Sequence, residues 1–337
     1  FIADMLYEEK YDMILPSFWG SSGIMLAAGG IMYGIFLVFS GAGLVDGLLC
    51  LWLFGELIVT WNAMSYLTAI KDYRGILLSF TASIVLTFLS GWLLLRLGIP
   101  HVEALLLAVV IGYGVMLLWD VILLYQYFPQ GEKGAFLFLR WVDQFLPLAF
   151  TGLFINIGLF AHLVIMWIGP LQVKVQGLFV GAPYHDVPAL AAFLTILVTT
   201  VNFVVSVEVN FYPKYKNYYS LFNDKGAVGD IKQAGEEMRK VLNVELKYTA
   251  LKQLLATALA ISLGGVILEY LPLGFNDLME GYFRTLCVGY GIYAVANTML
   301  LLLLYFTDYK GALTASGCFA GGTVIFTVIS LLFPKVY

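Results

Sequence analysis

Charged residues are scarce in this chain: 12% of its 337 residues are Asp, Glu, Lys or Arg, and 61% are hydrophobic. The mean hydropathy is +0.88, whereas a typical soluble domain carries about 25% charged residues. This scarcity excludes a mainly soluble chain. The sequence also lacks a phosphate-binding loop of the Walker type, so ATP hydrolysis by this chain is not expected.

Cysteine is nearly absent as well, and its three positions fall inside apolar runs. Cys50, Cys287 and Cys318 therefore indicate neither a disulfide framework nor the spacing of metal ligands. The sequence contains no nucleophile elbow and no serine–histidine motif. We expect no cofactor, no metal and no catalytic residue, and hence a protein that is not an enzyme.

Most of the sequence consists of long apolar runs. A helix needs about 20 mostly apolar residues to span the hydrocarbon core of a bilayer, and nine runs are long enough. They are residues 17–40, 44–70, 76–98, 104–128, 142–169, 187–211, 253–271, 282–306 and 312–333. The sequence thus predicts an all-α, polytopic transmembrane helix bundle.

The loops between these runs differ in their basic residues. Successive loops lie on alternate sides of the membrane. The segments on one side contain 14 of the 18 basic residues, and those on the other side contain only Arg96, Lys174, Arg284 and Lys335. Basic loops stay in the cytoplasm. We therefore expect the loops 71–75, 129–141, 212–252 and 307–311 to be cytoplasmic in a multi-pass protein of the inner membrane.

The longest of these loops, residues 212–252, has an amphipathic second half. Ile231, Met238, Val241 and Leu242 recur there at helical spacing. This pattern predicts a helix on the inner membrane surface or a docking surface for a cytoplasmic partner, and the sequence does not separate the two. Its basic residues suit anionic lipid headgroups better than nucleic acid, so no nucleic-acid partner is expected.

A short repeat connects two of the cytoplasmic loops. Asp72-Tyr73-Arg74-Gly75 and Asp308-Tyr309-Lys310-Gly311 lie 236 residues apart and occupy the same topological position. The repeat indicates two homologous bundles in parallel orientation.

Applying that offset of 236 residues to every span leaves some helices without partners, and restoring these gives two pseudo-symmetric six-helix lobes. We expect residues 1–128 to be an N-terminal lobe without its first two helices. Residues 129–141 would be the linker, and residues 142–337 a C-terminal lobe without its last helix. The chain is therefore expected to be an internal piece of a longer protein.

Several stretches carry a family resemblance that runs in matching order along the chain. They are residues 2–7 followed by 14–18, residues 138–143, residues 184–188, residues 208–212 with Tyr215, and the two repeat loops. The sequence resembles the PelG family of Pel exopolysaccharide transporters, within the multidrug/oligosaccharidyl-lipid/polysaccharide (MOP) flippase superfamily.

That resemblance implies a twelve-helix, MATE-like fold and export of Pel, a cationic, partly deacetylated amino-sugar polymer of biofilms. It also implies three kinds of partner: the polysaccharide and the bilayer, a cytoplasmic glycosyltransferase, and other inner-membrane Pel subunits.

Ionisable residues at bilayer depth are costly unless they are paired or face water, so they are candidates for function. In two of the predicted helices an acidic residue and aromatic residues lie on the same face, which suits a path for a sugar polymer. The substrate-path candidates are Glu56 with Trp52 and Thr60, and Asp120 with Tyr113 and Tyr127. Candidates for an inner gate are Arg140, Asp143, Asn202 and Glu208, and the repeat loops add Asp72, Arg74, Asp308 and Lys310.

Structural explanations compete with each functional one. Glu56 and Asp120 equally fit an ion pair or an interhelical hydrogen bond. Arg140, Asp143 and Glu208 fit snorkelling to the inner interface better than a gate. His162 is a lone imidazole on an apolar helix, and a hydrogen-bonded core role is favoured over a ligand or proton relay.

Other functions stay open at the level of sequence. The same superfamily includes exporters of drugs and of lipid-linked oligosaccharides. A scaffold subunit of a polysaccharide synthase, or a membrane-embedded transferase, belongs to a different class. The energy source is also open, because proton or sodium coupling would employ a buried carboxylate whereas a push from the synthase would need none.

Overall fold

The computed structural model describes residues 1–131, 134–223, 226–271 and 273–333, without the side chains of residues 143, 144, 204 and 208. Nearly all of this is helical. The elements are α1 Ile2–Tyr7, α2 Ile14–Ser40, α3 Leu44–Ala69, α4 Tyr73–Arg96, α5 His101–Tyr127, α6 Val142–Met166, β1 Val173–Gln176, β2 Phe179–Gly181, α7 Pro183–Leu194, α8 Leu197–Ser206, α9 Tyr212–Asn223, α10 Val228–Glu269, α11 Asp277–Tyr305 and α12 Tyr309–Leu332. Within the described ranges, nine helical segments are long and apolar enough to cross a bilayer, which confirms the all-α polytopic prediction.

Large apolar side chains cover the outside of these helices. At most 39% of the most apolar window of any span is buried within the protein. In water such surfaces would aggregate, whereas lipid tails solvate them at no penalty. The chain is therefore a multi-pass membrane protein.

The chain divides into two units. The first contains Phe1–Leu146 and Lys174–Val180, and the second contains Pro147–Val173 and Gly181–Tyr337. The division falls inside α6, where Phe145 has non-helical backbone angles and Pro147 interrupts the helix because proline removes a backbone donor.

Close helix packing in the first unit depends on small residues. A Cβ atom added to Gly112 on α5 would lie 1.9 Å from the Thr87 hydroxyl oxygen and 2.9 Å from the Ser83 carbonyl oxygen on α4. Only glycine permits this approach. An apolar core including Phe18, Leu67 and Leu124 joins α2, α3 and α5.

The second unit is organised around α7 and α11. Ala192 and Ile196 pack with Phe283, Cys287 and other residues of α11 in one buried cluster. This packing fixes the end of α7 against α11. The polar cluster described below includes residues at the start of α7.

The run 187–211 is not the single helix that the apolar pattern predicted. Helix α7 ends at Leu194 and α8 begins at Leu197. At the break, the amides of Thr195 and Ile196 donate to carbonyls only three residues back, which tightens and ends the first helix. A π-helical turn, Val207–Phe211, then follows α8; such turns often mark functional positions.

The amphipathic segment also differs from expectation. Residues 230–246 do not form a separate surface helix, because α10 continues from Val228 to Glu269 over 42 residues. At 1.5 Å per residue the helix is about 63 Å long, roughly twice the hydrocarbon core. Its N-terminal half therefore extends the spanning half and projects from the bilayer.

Candidate functional site

The structure pairs two of the substrate-path candidates on α3. The Trp52 Nε1–H donates to Oε1 of Glu56 at 2.7 Å. Trp52 is 65% exposed whereas Glu56 is 8% exposed, and within the described residues the second oxygen of Glu56 has no partner. An acid held against an exposed indole is the arrangement expected of a sugar or ammonium contact. Thr60, one turn further along α3, is 1% exposed.

Asp120 lies in a different environment. Its side chain is 0% exposed, and Ser79 of α4 is a polar neighbour. The Ser79 hydroxyl donates to the Ile76 carbonyl, so within the described residues neither oxygen of Asp120 has a hydrogen-bond partner. In this arrangement Asp120 does not line an open path, and its place in a substrate path stays a prediction.

Tyr127, one of the two aromatic residues predicted to share a face with Asp120, is bonded to a different acid. Tyr113 is partly buried on α5. Tyr127 is half exposed, and its hydroxyl donates to Oδ2 of Asp72 at 3.1 Å. The structure thus connects Tyr127 to a repeat loop rather than to Asp120.

The two repeat loops have the same local structure. Asp72 and Asp308 cap α4 and α12, each accepting a 2.9 Å hydrogen bond from the amide three residues later. The residue before each cap has a left-handed conformation, with φ of 62° at Lys71 and 59° at Thr307. Capping carboxylates stabilise helix N-termini, so the Asp of the motif has a structural role in both copies. Arg74 and Lys310 are exposed.

Among the inner-gate candidates, Asn202 has hydrogen-bond partners on α10. Its side chain donates to Thr249 of α10 at 3.2 Å and accepts from Lys252. Arg140 is exposed, and the side chains of Asp143 and Glu208 lie outside the described residues. The π turn beside Asn202 is fixed by Glu245, which accepts from Ser206 and Asn210.

The second unit contains a cavity of about 1080 Å³ between residues of α6, α7, α11 and α12. Its wall is mostly apolar with convergent polar groups, a composition typical of ligand sites. The polar lining residues are His162, His185, Asp277, Tyr282, Thr285, Cys318, Thr323, Thr327 and Ser330.

A hydrogen-bonded cluster forms one wall of this cavity. His162 contacts His185, with 3.4 Å between Nδ1 and Nε2, and its Nε2 lies 3.0 Å from the Tyr290 hydroxyl. Asp186 accepts from the Trp167 indole and from the backbone amide of Ala182, both at 2.9 Å.

Sequence reasoning missed this cluster. It expected hydrogen bonding by His162, which is observed, but His162 is not a lone imidazole. His185 and Asp186 lie between the apolar runs 142–169 and 187–211, where the sequence predicts a loop, whereas they occupy the first turn of α7. The available signal was that, of only three histidines in the chain, His162 lies in one predicted run and His185 in the segment that follows it.

Fold and cavity together define a multi-pass membrane protein whose helices line a mostly apolar cavity with several polar groups, a combination compatible with a transporter. Across residues 1–337 the chain matches the PelG family, described as "Putative exopolysaccharide Exporter (EPS-E)". The chain therefore belongs to the PelG family. Searches of curated proteins and of solved structures gave no significant match.

Proposed function

We propose that this chain exports Pel, the cationic amino-sugar polymer, across the cytoplasmic membrane by a flippase-like movement of two six-helix lobes. The observation that carries the proposal is membership of an exopolysaccharide exporter family over the whole chain. The nine bilayer-length helices supply the necessary setting. An exporter needs no catalytic residue, in keeping with a non-enzymatic role.

The cavity chemistry of the second unit supports a saccharide ligand. Sugars present hydroxyl groups at their edges and C–H groups on their faces. Thr323, Thr327 and Ser330 offer hydroxyls from one helix, while Tyr282 offers an aromatic ring. The carboxylate of Asp277 would attract the ammonium group of a deacetylated sugar.

The Trp52–Glu56 pair gives the first unit the same combination of an aromatic ring and an acid. A ring and a carboxylate within one turn can hold an ammonium sugar by cation–π and ionic contact together. This pair is the strongest substrate-path candidate of that unit because the indole and the acid are hydrogen-bonded to each other on one face of α3.

The proposed orientation rests on loop charge, and the proposed partners rest on the family resemblance. With the basic loops in the cytoplasm, the N-terminal half of α10 and the helix α9 project towards the compartment where the polymer is made. Lys214 of α9 and Glu237 of α10 form an ion pair of 2.9 Å that joins the two. A cytoplasmic glycosyltransferase and other inner-membrane Pel subunits are the proposed partners.

The test uses inside-out membrane vesicles, into which export carries polymer from the medium. Vesicles with the protein should accumulate radiolabelled Pel oligomers and ignore small cationic dyes. Asp277→Asn should reduce uptake severalfold, whereas Glu269→Gln, which removes an exposed carboxylate of the same unit, should not. Uptake of dye without polymer would favour a drug exporter.

A transporter is distinguished from a scaffold subunit by variants that keep assembly but lose export. Glu56→Gln and Asp120→Asn should still assemble with the partner subunits but lose export. If both variants assemble and export normally, the path through these residues is refuted and a scaffold is favoured.

A further inference from the structure

The cluster in the second unit is a continuous chain of four polar side chains. It runs from Asp186 through His185 and His162 to Tyr290. The distance from Asp186 Oδ1 to His185 Nδ1 is 3.5 Å. Three helices contribute, because His162 is on α6, Tyr290 on α11, and the other two on α7.

The chemistry of these groups fixes the direction of the hydrogen bonds. An ionised carboxylate only accepts, so His185 must donate to Asp186 from Nδ1 and accept at Nε2. His162 then donates from Nδ1 and accepts at Nε2, so the Tyr290 hydroxyl donates. Every ring nitrogen is used, and both imidazoles are neutral in this pattern.

Few other ionisable groups face the pair. Among the described residues, Asp186 is the carboxylate bonded to the pair, and its other oxygen accepts from Trp167 and Ala182. Packed around the pair or lining the same cavity are Tyr282, whose ring centroid lies 5.3 Å from that of His185, Tyr293, Asp277, Cys287 and Cys318. Arg284 of α11 is bound to Glu280 at 2.5 Å.

The pair also faces open space. His162 and His185 both line the cavity of about 1080 Å³, which is large enough for water beside a ligand. His185 is 4% exposed, so access from the cavity is through His162. A titratable pair that touches both a carboxylate and a ligand-sized cavity has the parts of a proton site.

We propose that the His162–His185 pair binds one exchangeable proton, and that this proton is the ion coupled to export. The coupling half of the proposal rests on the proposed function. The Tyr290 O–H first turns away from Nε2 of His162, and a hydronium ion in the cavity then gives its proton to that nitrogen. The new N–H bond donates to the Tyr290 hydroxyl oxygen, and water remains in the cavity.

The stoichiometry of one follows from charge. An imidazolium at His162 is balanced by Asp186 through the neutral ring of His185. A second proton would place two cations with nitrogens 3.4 Å apart beside a single carboxylate. Binding a proton therefore changes the net charge of the Asp186–His185–His162 cluster from −1 to zero. The attraction of the cavity wall for an ammonium sugar falls, which couples proton entry to polymer release.

The first experiment measures the proton directly. The chain contains only three histidines, so ring-¹⁵N labelling of the purified protein in lipid nanodiscs gives three resolvable side chains. His101, exposed at the start of α5, is the internal reference. As the pH is lowered, we expect the ring nitrogens of His162 and His185 to take up one proton between them.

Matched tyrosine variants test the geometry. Tyr290→Phe should lower the proton affinity of the pair about tenfold, because a hydrogen bond to a charged group is roughly twice as strong as a neutral one. Tyr293→Phe removes a hydroxyl from the same helix and should leave the titration unchanged. Two protons on the pair, none, or equal effects of the two variants would overturn the site.

The second experiment tests coupling in proteoliposomes. A pH-sensitive dye is enclosed in the vesicles, and labelled Pel oligomers are added to the outside solution. Polymer entry into the vesicles should move protons in the opposite direction. His162→Gln should still pass polymer down its gradient but without proton movement. Polymer transport that moves no protons in the unmodified protein overturns the coupling and leaves export standing. A one-proton titration without any polymer transport refutes export and leaves the proton site standing.

Discussion

The repeated aspartate caps allow a stability prediction with a built-in control. Asp308→Ala removes one hydrogen bond of 2.9 Å from the N-terminus of α12 and should cost about 1 kcal/mol. For a unit of this size that corresponds to a fall of about 2–4 °C in Tm. Thermal unfolding of the detergent-solubilised protein measures it, and Asp308→Asn, which keeps the acceptor, should fall much less.

The glycine of the same motif makes the prediction sharper. A Cβ atom at Gly311 would lie 2.4 Å from Oδ2 of Asp308. Gly311→Ala therefore displaces the capping carboxylate and should lower the free energy of unfolding by about 1 kcal/mol. Alanine itself favours a helix over glycine by about 0.5–1 kcal/mol. In the Asp308→Ala background there is no cap to displace, so only the higher helix propensity of alanine remains. Gly311→Ala should then raise the free energy of unfolding.

The first copy of the motif behaves differently for a visible reason. At Gly75 the added Cβ would meet Asp72 Oδ2 at 2.3 Å and also Leu123 Cδ1 at 2.7 Å. Gly75→Ala should therefore stay destabilising even with Asp72→Ala. Equal effects of Gly311→Ala in both backgrounds would refute the reasoning.

Three further results are expected. Gly112→Ala should destabilise by about 1–3 kcal/mol because it overpacks α4 against α5, whereas Gly47→Ala, which meets nothing within 4 Å, should not lower Tm. Trp52→Phe leaves the carboxyl of Glu56 without its 2.7 Å donor and should lower Tm by the equivalent of about 1–3 kcal/mol; an unchanged Tm would show that water replaces the indole. Glu245→Ala removes the acceptor of two side chains at the π turn and should lower Tm more than Glu245→Gln, which keeps one acceptor oxygen.

Hydropathy predicted the spanning helices well because lipid contact requires only length and apolarity. It could not predict where a helix breaks. The gap between α7 and α8 at Thr195–Ile196 lies within an unbroken apolar run, and the Thr195 hydroxyl bonds to the Ala192 carbonyl. Competition by a side chain for backbone groups leaves no trace in hydropathy.

The opposite error occurred in α10. A change from amphipathic to apolar pattern near residue 250 suggested two helices. The segment across the change, residues 245–260, is rich in Ala and Leu, which are strong helix formers. With no Gly or Pro to interrupt it, the helix continues through the change of environment.

The candidate site was the least predictable part. Pattern reasoning placed acids and aromatics one or two turns apart on the same helix, which located Trp52 and Glu56 correctly as partners. It could not bring together His162, His185 and Tyr290, because 23 and 128 residues separate His162 from its two partners. Contacts between helices depend on packing registers that single-helix periodicity does not contain.

The length of α10 has a mechanical consequence. A continuous helix of 42 residues acts as a stiff rod, so a tilt of about 5° at one end sweeps the other through about 5 Å, given a rise of 1.5 Å per residue. Displacements of that size are comparable to the diameter of a sugar ring. A protein that binds the water-exposed end of α10 could therefore shift the membrane-embedded helices without contacting them.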